Sequence, residues 1–234
     1  MIKKFMQFWS EERALSVFLL LLAIEMFVIG PVVRTMPAFD LASDLLFSIL
    51  LVAGVLTVVQ HRTLQWTMGM FVLLAITMRW AGIVFGAPGL FFWNAVLSLL
   101  SMLAFLLIVL WLVYREGPVT GHRIRGAVAA YLLLALCFSF AYDLTEVVHP
   151  GSFTLSLEGA QGSQTRSVSF LYFSVVTLTT VGFGDIAAVH PVARSLVMVE
   201  ALVGTLYPAI LIARLVTLQM ETRRSKHGPS DGDA

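Results

Sequence analysis

The stretch TLTTVGFGDI, Thr177 to Ile186, brings together residue types that can handle a cation. Two glycines flank one aromatic, three threonines stand in front, and an aspartate closes the run. A cation leaving water needs its hydration shell replaced at nearly equal free energy. Backbone carbonyls can do this when several point inward at successive levels, in rings built from symmetric copies. Such a strand needs dihedral angles that L-residues resist, and Gly182 and Gly184 adopt them at little cost. Thr180 can add a hydroxyl ring at the inner end, while Val181 and Phe183 can turn away into surrounding protein. Asp185 then stands at the outer mouth, where a carboxylate raises the local cation concentration.

The elements that must position this stretch belong to a membrane. Of 234 residues, 59% are hydrophobic and 12% charged, too little polar surface for a soluble domain of this size. Apolar blocks of about twenty residues predict six spanning helices. They run from about Ala14 to Val33, Leu41 to Val59, Leu64 to Phe85, Leu90 to Tyr114, Ile124 to Val148 and Pro191 to Met220. Between the last two, His149 to Arg166 is rich in Gly, Ser, Thr and Gln and reads as an exposed loop. SVSFLYFSVVTLTT then follows, apolar but too short to span, and leads straight into the glycine-rich return. A half-crossing helix and a return between two spans make a re-entrant loop. Irregular backbone at membrane depth is tolerated only where protein surrounds it or it lines a water-filled cavity.

Basic residues set the orientation. With the N-terminus in the cytoplasm, Lys3, Lys4, Arg13, Arg62, Arg115, Arg123, Arg125, Arg214, Arg223, Arg224 and Lys226 fall inside. Arg34, Arg166 and Arg194 fall outside and Arg79 within the membrane, as the positive-inside rule expects. Both termini are then cytoplasmic, in a multi-pass protein of the cell membrane. The first apolar stretch lacks a small-residue cleavage site and reads as a retained anchor. The lone Cys137 is read as a small hydrophobe.

TTVGFGD, Thr179 to Asp185, resembles the signature filter of potassium channels, with Phe183 where the usual form has tyrosine. Gly204 lies twenty residues past Gly184, the spacing at which family members carry a hinge glycine in the inner helix. Tyr172 and Phe173 stand where family members place aromatics that brace the filter. The resemblance runs from about Tyr131 to Met220 and over the first four helices by helix count alone. It implies an all-α, six-helix fold with a re-entrant pore helix, in a prokaryotic-type tetrameric potassium-channel architecture. It also implies a potassium ion held by Thr180, Val181, Gly182, Phe183 and Gly184, and a homotetramer in membrane lipid. By helical offset from the hinge, Thr205, Pro208 and Ile212 line the cavity below. The domains would be a cytoplasmic N-terminus (1–13), four sensor-like helices (14–116), the pore (124–220) and a cytoplasmic tail (221–234).

The fourth helix, FFWNAVLSLLSMLAFLLIVLWLV, contains no Lys or Arg and so has no gating charge to move, which predicts weak voltage dependence. Glu25 and Arg79 are expected to pair within the membrane. Glu200, one turn before Gly204, is expected behind the filter in a structural hydrogen bond, the alternative being a gating role. Fourteen residues follow Met220, too few for a soluble ligand-binding domain. No enzymatic constellation and no nucleic-acid-binding feature is present in the sequence. The expected function is passive potassium conduction. Its rivals are a non-selective cation channel and a non-conducting sensor or partner subunit.

Overall fold

The computed structural model of the chain describes residues 16–29, 40–58, 62–85, 88–114, 121–155 and 163–226. The first helix, α1, covers residues 16–24 and widens into a π-helical turn at Glu25–Ile29. Then come α2 (Asp40–Val58), α3 (Arg62–Phe85), α4 (Pro88–Tyr114) and α5 (Gly121–Val148). Strand β1 (Phe153–Leu155), helix α6 (Ser163–Leu178), strand β2 (Ile186–Ala188) and helix α7 (Pro191–Lys226) complete the order. Pro88 and Pro191 each open a helix, at the position where a missing N–H costs nothing.

Among the described residues three helices are long and apolar enough to cross a membrane: Phe92–Tyr114, Arg123–Val148 and Pro191–Thr217. The protein is therefore a membrane protein. Ser16–Val28, Asp44–Leu56 and Arg166–Leu178 are apolar but shorter. Helix α3 has the length, at 24 residues, but includes Arg62, Gln65 and Arg79. The six expected spans thus appear as helices, three of which meet the length and hydropathy of a crossing. The expected ends of the first helix, Ala14 and Val33, lie outside the described residues. The last helix runs six residues past its expected end at Met220, to Lys226.

One core packs Phe18 and Leu22 of α1, Leu50 of α2 and Phe105 of α4 against Ala130 and Leu133 of α5. A smaller core of Tyr142, Phe153, Phe170, Phe173, Ile186 and Ala193 closes the end of the molecule where α5 stops. At the opposite end, Arg214 of α7 donates to the carbonyl of Tyr114, the last residue of α4, and lies 4.6 Å from that ring. Arg125, near the start of α5, donates to Ser16 at the start of α1. Arg125 and Arg214 thus both make their contacts at this end of the helices.

The expected Glu25–Arg79 pair is replaced by another. Arg79 bridges Asp44 of α2 at 2.6 Å, with 13% and 5% of the two side chains exposed. Its guanidinium also lies 4.4 Å from the Phe47 ring, which packs on Phe140 of α5 at 5.3 Å. Helices α2 and α3 form an antiparallel pair, so the first turns of one face the last turns of the other. Glu25 is instead buried in the π-turn of α1. Losing one partner of a buried pair strands the other charge at a cost of roughly 3–5 kcal/mol. Asp44→Leu and Arg79→Leu should each lower the melting temperature in detergent, and the double variant should lose less than the sum of the two. Additive losses would mean that the two charges act independently.

Candidate functional site

The site is built on α5, which holds both ends of the re-entrant segment. Helix α6 runs antiparallel beside it. Arg166 meets Asp143 at 2.8 Å, Ser174 Oγ lies 2.8 Å from the Ala135 carbonyl oxygen, and Tyr131 OH donates to the Leu178 carbonyl at 3.0 Å. Sixteen residues of helix cover about 24 Å, short of the roughly 30 Å hydrocarbon core. Thr179–Asp185 then turns back from the level of Tyr131, and Ile186 just after it packs beside Tyr142.

The return ends on β2, which pairs antiparallel with β1 in the register Phe153↔Ala188, Thr154↔Ala187, Leu155↔Ile186. Val189 N–H donates to the Ser152 carbonyl at 2.8 Å, and His190 stacks on His149 with centroids 4.5 Å apart. Glu146, in the last turn of α5, accepts the N–H groups of Gly151 and Ser152 at 2.7 and 2.9 Å. The expected exposed loop from His149 to Arg166 therefore contains a strand, and from Ser163 it is already helix α6. Residues 156–162 of that loop lie outside the described residues.

The backbone at the turn follows from how α6 stops. Val181 N–H donates to the Val176 carbonyl and Thr180 N–H to that of Thr177, both at 2.9 Å. These are the two bonds of a Schellman cap, whose C′ residue takes the left-handed conformation and is usually glycine. Here it is Thr180, with φ 62°. A β-branched residue there is strained by about 1–2 kcal/mol. Gly182 at 56° and Gly184 at 80° are also left-handed, whereas Val181 and Phe183 between them are not. Alternating handedness turns successive peptide units alike, gathering N–H groups on one side and carbonyls on the other. Along Thr180–Gly184 the sign of φ therefore alternates residue by residue, a backbone that L-residues rarely sustain. Among the described residues no cluster of three or more His, Cys, Asp or Glu offers a conventional metal site.

Val181 and Phe183 do not turn into protein within this chain, for they are 54% and 70% exposed. Asp185 is half-buried, and its carboxylate accepts the N–H of Ile186 at 3.1 Å. Behind the turn, Phe173 packs on Tyr142 and Phe153, in the same cluster as Ile186, the first residue past Asp185. Of the two expected braces, Phe173 is thus buried in that cluster and Tyr172 packs partly buried against it.

Helix α7 closes the site from behind. Glu200 is fully buried and accepts hydrogen bonds from Tyr142 OH of α5 and Ser174 Oγ of α6. One turn further along each helix, Gly204 faces Leu178: a Cβ on it would overlap the Leu178 carbonyl oxygen and lie 2.9 Å from both the carbonyl carbon and Cα. Pro208 sits inside α7, half-buried. Thr205 is exposed and bonds back to the Leu202 carbonyl at 2.9 Å, and Ile212 is 61% exposed. The apolar window of α7 is only 17% buried, against 44% in α4 and 56% in α5. The structure thus places Glu200 and Gly204 against α6, whose end leads into Thr179–Asp185, while Glu25 and Arg79 belong to α1 and α3. Sequence reasoning missed Ser174, Tyr142, Leu178 and Tyr131, whose roles arise from contacts between helices. A serine and a tyrosine at helical depth in apolar runs were the available signal.

Residues 130–221 match a family model described as an ion channel. LctB of Bacillus caldotenax is 34% identical over 87 residues, covering 37% of this chain and 64% of that protein. LctB of Geobacillus stearothermophilus is 32% identical over a stretch of the same length. Kirbac3.1 of Paramagnetospirillum magnetotacticum, named an inward rectifier potassium channel, is 34% identical over 84 residues, 34% of this chain and 24% of that one. The chain spans less than two thirds of the length of these relatives. No solved structure matches it significantly. The matches support an ion channel, which is not an enzyme class.

Proposed function

We propose that the chain is one subunit of a potassium-selective channel that conducts passively and with weak voltage dependence. The observation that carries this reading is the alternation of backbone handedness through Thr180, Gly182 and Gly184, in a re-entrant return between α5 and α7. A carbonyl column on one chain becomes a set of rings only when copies surround a shared axis, so the assembly is a homotetramer in lipid. The exposure of Val181, Phe183 and most of α7 fits such copies. In this reading potassium is the transported ion, passing Thr180, Val181, Gly182, Phe183 and Gly184. Asp185 lies at the outer mouth, and Thr205, Pro208 and Ile212 face the inner cavity.

All six long helices cross the cell membrane with both termini cytoplasmic. Residues 124–220 form the pore, and 14–116 form a sensor-like unit that lacks sensor charges. Purified protein in liposomes should pass potassium with a conductance that changes little over a hundred millivolts. Its reversal potential in mixed potassium and sodium should follow potassium. A reversal potential near zero with conduction intact would establish the non-selective reading, which Phe183 favours because it lacks the tyrosine hydroxyl. Absence of flux from intact tetramers would establish the non-conducting one.

A further inference from the structure

We infer that Glu200 is a positioning residue for the filter, holding the last turns of α6 at a fixed height between α5 and α7. The inference rests on the channel reading for its meaning, and deepens it by naming what sets the filter's geometry. Ser174 and Leu178 are one turn apart on α6, as Glu200 and Gly204 are on α7, so two contacts lie along one line between the helices. One is polar and the other is close-packed. The close contact fixes how near the helices come. It cannot fix how far one slides along the other, because a glycine surface has no side chain to interlock.

The carboxylate supplies what the glycine lacks. Its two oxygens take hydrogen bonds from two different helices, Oε2 from Tyr142 and Oε1 from Ser174, in a fully buried position. Sliding α6 by even one residue's rise, about 1.5 Å, breaks the second bond and leaves a buried acceptor unsatisfied. The height of Ser174 sets that of Leu178, whose carbonyl is also held by Tyr131. Leu178 is the last helical residue before the cap that winds Thr180 left-handed. The first level of the carbonyl column therefore inherits its position from Glu200.

Hydrogen counting predicts which substitutions the position accepts. The Ser174 hydroxyl has one proton and two acceptors in reach, the Ala135 carbonyl and Glu200 Oε1. Glutamine can donate its amide N–H to Ser174 Oγ, which frees the serine proton for Ala135, and can accept the Tyr142 hydroxyl on its carbonyl. Leucine keeps the volume and strands the Tyr142 hydroxyl.

The test compares wild type, Glu200→Gln, Glu200→Leu, Tyr142→Phe and Ser174→Ala as purified tetramers. Potassium-to-sodium selectivity is read from reversal potentials, and hydrogen exchange from the backbone of Thr179–Asp185. Glu200→Leu should lower the selectivity ratio by about tenfold or more and speed exchange in that segment, the expectation for losing buried hydrogen bonds. Glu200→Gln should stay near wild type. Tyr142→Phe and Ser174→Ala, which remove one leg each, should fall between and remain informative if the leucine variant does not assemble. If wild type does not conduct, the channel reading fails, while the exchange data still decide the positioning role. Wild-type selectivity and exchange in Glu200→Leu, or in both single-leg variants, would overturn the inference.

Discussion

Replacing Gly182 with alanine is expected to abolish potassium-selective flux while leaving the helices intact. At φ 56° the residue occupies the left-handed region, and no atom lies within 4 Å of the place a Cβ would take. Loss of function therefore cannot be assigned to a collision inside the chain. It comes from the backbone, because an L-residue in that region is strained by about 1–2 kcal/mol. Thr180 already bears such strain two residues earlier, held by two hydrogen bonds of the helix cap. Gly182 has a weaker hold, a single bond at 3.3 Å from its N–H to the Val176 carbonyl. Alanine there should relax toward ordinary dihedrals, reversing one carbonyl in each subunit and so a whole level of the column. Flux into liposomes, with reversal potentials in mixed potassium and sodium, measures the outcome. Wild-type selectivity in Gly182→Ala would remove the basis for assigning the filter.

Gly204→Ala is expected to lower the melting temperature of the assembled protein and to alter selectivity as well as opening. Read as a hinge from its spacing to Gly184, this glycine would change opening alone. Its surroundings say more: the added Cβ would overlap the Leu178 carbonyl, and backbone, unlike a flexible side chain, cannot swing aside. Either α7 retreats or the end of α6 moves, and the latter carries Thr180 with it. Overpacking of a tight contact costs about 1–3 kcal/mol, incurred in every subunit. Thermal unfolding in detergent and reversal potentials on the same preparation test both effects. An unchanged melting point together with unchanged selectivity would show that the helices are not in contact there.

Much of this was legible in the sequence, for identifiable reasons. The helices from Leu90 to Tyr114 and Ile124 to Val148 were readable because apolar runs of that length have one use, and the structure extends each by two or three residues at its start. The half-helix before Thr179 was readable from its length. The β1–β2 pair was not, since three residues per strand give no alternation to detect. Asp44 lay inside the expected span from Leu41 to Val59 but was passed over, because an aspartate so near a helix start reads as a residue of the membrane surface. The partners of Glu200 and the neighbour of Gly204 were hidden for a general reason. A helix in lipid is apolar on the face that meets protein and on the face that meets acyl chains, so periodicity cannot say which side packs. Thr180 shows a further limit: its dihedral is dictated by where α6 ends, and threonine has no preference that would announce it.

The two fastenings of the return strand have a mechanical corollary. One end hangs from Tyr131 through Leu178, and the other is sewn to Ser152 and Phe153, four or five residues past the end of α5. Helix α5 therefore acts as a ruler. From Tyr131 to Val148 it measures about 26 Å at 1.5 Å per residue, and a hydrogen-bonded helix hardly stretches. The length of Thr179–Asp185 is gauged against that rigid rod, much as a string takes its length from the frame that carries both pegs. Tilting α7 at its far end, toward Arg214, leaves the frame untouched. The strand thus takes its length from α5, while its height along α6 answers to Glu200 on α7.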